Sequence, residues 1–262
     1  MRRSRIIPVL LLNNGGLYKT IRFTKAQYIG DPINTVKLFN EKEADELILL
    51  DYGASKQNKG IDFNKIGEMA GEAFMPMAYG GGIKNFEDAK KVFDCGYEKI
   101  ILNSVLFSDL SLIGEISSVY GSQAVVGSID VKKNIFGKYK VYSHSGSKNT
   151  GQDPVAWAQL LEINGVGEIM VNSIEKDGTW EGYDLEITEK ISHSVNVPLI
   201  ICGGAANTGD FKKAVNVGWP FFFDIVTKSF LSPMQILVTL RFLSLSYLTF
   251  SSSLYSGFCF MV

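Results

Sequence analysis

The residues best suited to chemistry stand at the ends of apolar runs. Asp130 closes the run AVVGSID (Ala124–Asp130) and is followed by Lys132 and Lys133. A carboxylate partly shielded at such a place can have its pKa moved towards neutrality, where it can exchange a proton with substrate. The competing assignment is an Asp that caps the next element. Gly80-Gly81-Gly82 and Gly203-Gly204 follow two other runs. Glycine lets backbone N–H groups come close to an anion, and a helix starting just beyond adds partial positive charge. That is phosphate-binding chemistry; the competing assignment is a tight turn with no ligand. Asn103-Ser104 and Asp177-Gly178-Thr179 also follow apolar runs, and Asp51 and Ser173 end two more. Two such glycine turns at equivalent positions favour phosphate, and two phosphate sites across one mouth imply a long bisphosphate substrate.

The opposite ends of the runs are charged. Arg5, Glu46, Lys99 and Glu168 each begin one. Two acids and two bases could close into a ring, but pattern alone favours strand ends that simply meet solvent. His144 and His193 are the only histidines, and neither has a Cys or carboxylate at ligand spacing. Cys95, Cys202 and Cys259 have no zinc-like spacing either, so no metal is expected. The chain has no P-loop, nucleophile elbow or dinucleotide fingerprint, and no cofactor is expected.

The elements that must position these groups are short β-rich runs alternating with helical stretches, the signature of βα units on a parallel sheet. The expected strands are Arg5–Leu12, Glu46–Asp51, Phe74–Gly80, Lys99–Asn103, Ala124–Asp130, Glu168–Ser173 and Pro198–Gly204. Their near-continuous apolar character says that both faces are covered. Helical patterns lie between them, among them DPINTVKLFNEKEA and NFEDAKKVFDCG; the second opens on an Asn85 N-cap and closes on Gly96. Seven βα-like units precede Gly218, and an eighth strand would close a barrel, whose usual size the 262 residues match. Ala78–Gly96 parallels Ile201–Gly218 in its strand, glycine turn, Asn and helix, which suggests two half-barrels of four units each.

A net charge of −1 argues against a nucleic-acid footprint. Sparse, scattered cysteines fit a reducing, cytoplasmic setting. The basic start and short apolar run of MRRSRIIPVLLLNN lack a cleavage site and are not expected to be a signal peptide.

The stretches RIIP, LLDYGAS, YGGGI, GSQAVVGSID, SHSGSKNTG, EIMVNSIEKDGT, GYD and ICGGAA resemble the cyclase subunit of imidazole glycerol phosphate synthase, the HisF family, from Arg5 to about Gly218. The resemblance implies a (β/α)8 TIM barrel of two halves. It implies an enzyme that takes ammonia from a glutamine amidotransferase and converts a phosphoribulosyl intermediate to imidazole glycerol phosphate and an aminoimidazole carboxamide ribotide. It implies one phosphate site at Gly81, Gly82, Asn103 and Ser104, and another at Asp177, Gly178, Gly203 and Gly204. Lys19 and Asp51 match further positions of the active face, and Asp130 matches one of two catalytic aspartates. Arg5, Glu46, Lys99 and Glu168 match a charged ring that gates ammonia, with the amidotransferase docked at the N-terminal face.

The departures matter as much. The second catalytic aspartate belongs in RIIPxLDV, but this chain reads RIIPVLLL, with Leu11 at that position. Leucine cannot move a proton, and such help is worth about 10²- to 10⁴-fold in rate. Glu98 stands where an Asp is usual, Asn172 replaces a Thr near the second phosphate, and Cys202 replaces a small polar residue. Intact entrance and phosphate residues with half a catalytic pair are the pattern of a paralogue. That pattern leaves two alternative roles open: an ammonia-channelling subunit for amidination of a nucleotide sugar in surface-polysaccharide synthesis, and a non-catalytic scaffold that activates the amidotransferase.

The resemblance stops near Gly218. From Trp219 to Val262 only Asp224, Lys228 and Arg241 are charged, and eight serines are scattered without helical spacing. Pro233 and Arg241 interrupt the apolar stretch and argue against a membrane anchor. The chain is therefore expected to be a single barrel over 1–262, with 219–262 an atypical tail in place of a regular last βα unit. FFFDIV is a candidate eighth strand, but a shift of reading frame near codon 219 is the favoured account of the tail.

Overall fold

In the computed structural model the described residues are 5–57, 60–217 and 223–227, the last five and 55–57 as backbone only. They all fall in a compact unit spanning Met1–Phe230. Residues 231–262, and with them most of the expected atypical tail, lie outside the described residues.

Eight strands pair in parallel. They are β1 (Ile6–Asn13), β2 (Leu47–Asp51), β3 (Met77–Gly80), β4 (Lys99–Leu102), β5 (Val125–Lys133), β6 (Glu168–Ser173), β7 (Leu199–Cys202) and β8 (Phe223–Thr227). Each pairs with the next in sequence. β8 then pairs with β1, Ile6 opposite Ile225, so the eight parallel strands close into a barrel. The fold is a (β/α)8 barrel. The eighth strand expected in FFFDIV forms from Phe223 to Thr227, the last of the described residues.

The seven expected strands form with their ends moved by a few residues. The largest trim is in β3, which begins at Met77 because Phe74, 91% exposed, belongs to the preceding loop. Among the described residues seven helices of eight or more residues cover the barrel: α1 (Pro32–Glu41), α2 (Phe63–Gly71), α3 (Phe86–Asp94), α4 (Ser111–Tyr120), α5 (Pro154–Ile163), α6 (Leu185–Ser192) and α7 (Thr208–Val217). Side chains cap the starts of α1, α2, α3 and α5. Asn85 accepts from the Asp88 N–H at 2.9 Å, and Asp153 from the N–H groups of Val155 and Ala156. Pro32 and Pro154 take first-turn positions, where the missing N–H costs nothing.

Alternation along the strands sorts the apolar residues. Ile7, Val9 and Leu11 of β1 turn inward and meet Ile48, Ala78, Ile101, Val126, Met170, Ile200 and Cys202 in the barrel interior. Ile6, Leu10, Leu47 and Leu49, on the opposite phase, are also buried. Double burial is why these strands read as continuous apolar runs.

Two hairpins rise from the C-terminal ends of the strands. Gly16–Ile21 pairs antiparallel with β1 and with Thr24–Gly30. Tyr139–Ser143 pairs antiparallel with β5. The first turns on Arg22 and Phe23, both at positive φ, a hairpin turn built without the glycine or asparagine that would announce it in sequence.

Candidate active site

At the C-terminal mouth lies a cleft of about 870 Å³, including its opening to solvent. Asp51, Gly81, Gly82, Asn103, Ser104 and Asp130 all line it. All but Asp130, which lies three residues before the end of β5, stand on or just past a strand end, so barrel closure converges residues far apart in sequence.

Asp130 is 6% exposed. Asn103 Nδ2 donates to its Oδ2 at 3.0 Å, and Asn172 Nδ2 to its Oδ1 at 3.2 Å. Each carboxylate oxygen thus has an amide donor of its own. Asp51 accepts the Ala54 N–H at 2.9 Å. Burial pushes its carboxyl above the ordinary range, against the opposing pull of the Ala54 and Gly53 N–H groups. Gly81, at φ 121°, lies so close to Asp51 that a Cβ would fall 2.1 Å from the Asp51 carbonyl oxygen. Close packing alone demands glycine there, whatever ligand its backbone meets. Ser104 Oγ accepts the His144 N–H at 3.0 Å, which leaves the hydroxyl proton to donate elsewhere.

Leu11 lines the same cleft and is 8% exposed. Together with Leu50, Ile101 and Met170 it gives the site an apolar floor. Asn13 and Asn14, beyond it on β1 and its turn, are absent from the lining.

The second set of glycines does not line this cleft. Gly203 and Gly204 follow β7, and a Cβ on Gly203 would come 2.9 Å from the Ser173 carbonyl oxygen and 3.5 Å from the Asp177 nitrogen, so this set gathers beside the end of β6. Asp177 is 1% exposed and its Oδ2 accepts from Thr20 Oγ1 at 2.7 Å and from the Phe23 N–H at 3.1 Å. Its carbonyl takes the Arg22 N–H at 2.9 Å. Gly178 packs with its Cα against Thr20, where a Cβ would meet the carbonyl oxygen at 2.1 Å. Asp177 and Gly178 therefore clamp the first hairpin over the mouth. Lys19 is exposed on that hairpin, opposite Gln27, and is not among the lining residues.

Thr20 and Phe23 overhang the cleft from the first hairpin and Ser145 from the turn that follows Tyr139–Ser143, and Asn172 enters from β6. Spacing assigns none of the first three, because hairpin tips acquire neighbours only on folding. Asn172 was legible as a departure near the second glycine set, but its partner is Asp130.

At the N-terminal mouth the four charged strand-starts meet. Arg5 reaches Glu46 at 2.5 Å and Glu168 at 2.9 Å, and Lys99 reaches the same two carboxylates at 2.9 and 3.0 Å. They form a closed ring rather than separate solvated ends, so the solvent reading favoured by pattern alone gives way. Glu46 is 2% exposed, and burial raises its carboxyl above the ordinary range against the opposing charges of Lys99 and Arg5. Glu98 donates nothing to the ring; its Oε2 accepts the Met77 N–H at 2.7 Å at the start of β3.

Among the described residues no group of His, Cys, Asp and Glu could hold a metal ion. No helix among them is long and apolar enough to cross a membrane.

A family model described as "Histidine biosynthesis protein" matches residues 5–223. A Pseudomonas aeruginosa protein named "Putative imidazole glycerol phosphate synthase subunit hisF2" is 50% identical over 210 residues, covering 80% of this chain and 84% of that protein. A Vibrio vulnificus protein named "Putative imidazole glycerol phosphate synthase subunit hisF3" is 42% identical over 216 residues, 82% of this chain and 83% of its own. "Imidazole glycerol phosphate synthase subunit HisF" of Alkaliphilus metalliredigens is 38% identical over 214 residues, with 82% and 85% covered.

Proposed function

This chain belongs to the histidine biosynthesis protein family, and we propose that it is the lyase-type cyclase subunit of an imidazole glycerol phosphate synthase. In this reading it takes ammonia from a glutamine amidotransferase and converts the phosphoribulosyl bisphosphate intermediate to imidazole glycerol phosphate and the aminoimidazole carboxamide ribotide. The observation that carries it is the pairing of two mouths on one barrel: a closed ring of four charges at one end and a carboxylate-bearing cleft at the other.

Ammonia enters through Arg5, Glu46, Lys99 and Glu168. The interior beyond, with Ile7, Val9, Ile48, Ala78 and Ile200, is apolar. Such a medium penalises ammonium far more than neutral ammonia, so the amine travels uncharged and stays nucleophilic. Phe74, Val119 and Ile163 are 91, 63 and 81% exposed and stand at or just beyond the C-terminal ends of α2, α4 and α5, which is the N-terminal side of the barrel. Apolar exposure around the ring fits the amidotransferase docking there. At the other mouth, Gly81, Gly82, Asn103 and Ser104 hold one phosphate. Asp177, Gly178, Gly203 and Gly204 are assigned the second phosphate site, the Asp177 carboxylate at the same time holding the first hairpin, and Lys19 of that hairpin is assigned to the same phosphate. Asp130 exchanges the proton.

Leu11 favours a second reading, in which the same channel feeds amidination of a nucleotide sugar for a surface polysaccharide. With one carboxylate replaced by an alkyl group, ring closure loses half of its acid–base pair. A scaffold role, activating the amidotransferase without chemistry, is the third. Purified chain with ammonium salt and the bisphosphate intermediate is expected to form imidazole glycerol phosphate, followed chromatographically. No turnover above the uncatalysed rate sinks the first reading. A mass gain in a nucleotide sugar supports the second, and stimulation of the glutaminase with neither product leaves the scaffold.

A further inference from the structure

The geometry points to Asn172 as the positioning residue of Asp130, holding the carboxylate as an ionised proton acceptor. The inference deepens the proposed function, since it rests on Asp130 being the group that meets substrate.

Strand register makes the contact. Asn172 on β6 lies directly opposite Asp130 on β5, so both side chains issue from the same face of neighbouring strands. Asn172 is 2% exposed. Its amide orientation is dictated by its neighbour: a carboxylate offers only acceptors, so Nδ2 faces Asp130 and Oδ1 faces away. That Oδ1 is buried without a hydrogen-bond partner. The same is true of Asn103, whose Nδ2 holds the other carboxylate oxygen while its Oδ1 stays unpaired. An unpaired buried acceptor is costly, and a core residue chosen only for stability would avoid it. Both asparagines accept that cost and both spend their donors on one carboxylate. Donors to each oxygen favour the charged form and fix the plane of the group. A proton arriving on Asp130 weakens the bonds from the two amides, which favour the charged form, and with Leu11 on the same floor no second carboxylate joins from that position. The ionisable residues lining the cleft besides Asp130 are Asp51 and Tyr52.

Two readouts on the full-length chain test this. The first is the carboxyl ¹³C resonance of Asp130, assigned by its loss in Asp130→Asn and followed against pH. Its midpoint is expected to rise in Asn172→Leu and to return towards the parent value in Asn172→Thr, which keeps a donor hydroxyl. An unmoved midpoint in Asn172→Leu overturns the inference. The second is turnover of the bisphosphate intermediate with ammonium salt. Asn172→Leu is expected to lower kcat on the order of 10²-fold, with KM nearly unchanged, and Asn172→Thr to recover part of it. A loss carried by KM alone overturns the inference. If the parent chain makes no product while the midpoint still moves, the ring-forming reading fails and the role of Asn172 stands. If the parent turns over and the midpoint is unmoved, Asn172 loses its role and the ring-forming reading stands.

Discussion

Leu11 and Asp130 line one cleft with opposite capacities: one can hold and move a proton, the other only fills space. Asp130→Asn keeps the shape and removes the carboxylate proposed as the base, so ring-forming turnover with ammonium salt should fall by about 10²- to 10⁴-fold. Leu11→Asp should raise the same turnover by a comparable factor if the missing carboxylate is the chief defect, and should leave it flat if the substrate is different. Because position 11 is 8% exposed, the new carboxylate is also expected to cost on the order of 1 to 3 kcal/mol of stability, read from denaturant unfolding. A fold stabilised by the substitution would contradict that burial. Asp130 was legible as an acid–base candidate from its place at the end of an apolar run. The hand on it was not, since Asn172 and Asp130 are separated by 42 positions and meet only through strand register.

At the scale of elements, the two hairpins are what the barrel adds around its mouth. The first is held by Asp177, through two side-chain hydrogen bonds and the backbone bond from Arg22. Asp177→Ala should release it, with faster hydrogen exchange at the Phe23 amide and a loss of about 1 to 3 kcal/mol for the abandoned donors. Unchanged protection at Phe23 would show that the backbone contact suffices. The second hairpin is moored by Tyr139, whose hydroxyl donates to Asp184 at 2.7 Å, while Asp184 also accepts from Ser173 Oγ at 3.2 Å. Burial, then the bond to Asp184, pushes the Tyr139 phenol well above its ordinary range, so it remains a donor at any physiological pH. Tyr139→Phe should therefore destabilise the chain without a pH dependence of its own, by about 1.5 to 3 kcal/mol for a bond to a charged acceptor. The Arg22-Phe23 turn of the first hairpin is not announced by turn residues, whereas Asn134, whose Oδ1 accepts the Phe136 and Lys138 N–H groups, and Gly137 at φ 74° do mark the turn of the second.

For the whole molecule the charged ring carries a pH signature. The folded Glu46 carboxyl lies above its unfolded value because burial outweighs Lys99 and Arg5. Its contribution to stability is thus fully present below the ordinary carboxylate range and is lost as pH rises through the folded value. Stability measured from pH 4 to 8 should fall less steeply in Glu46→Gln than in the parent; an equal or steeper fall would mean that the ring's cations, not burial, govern this group. What the sequence determined by itself was the series of strands, the glycine turns between some of them and the helices, and the charges at the strand starts. Those depend on local periodicity, capping and turn chemistry, which neighbours in sequence suffice to specify. Tertiary structure alone decided that β8 closes on β1, that four scattered charges pair with one another, that Asp177 is spent on a hairpin, and that Asn172 reaches Asp130. Each of these joins positions far apart in the chain, and distance along a chain carries no information about which side chains a closed barrel will bring within hydrogen-bonding reach.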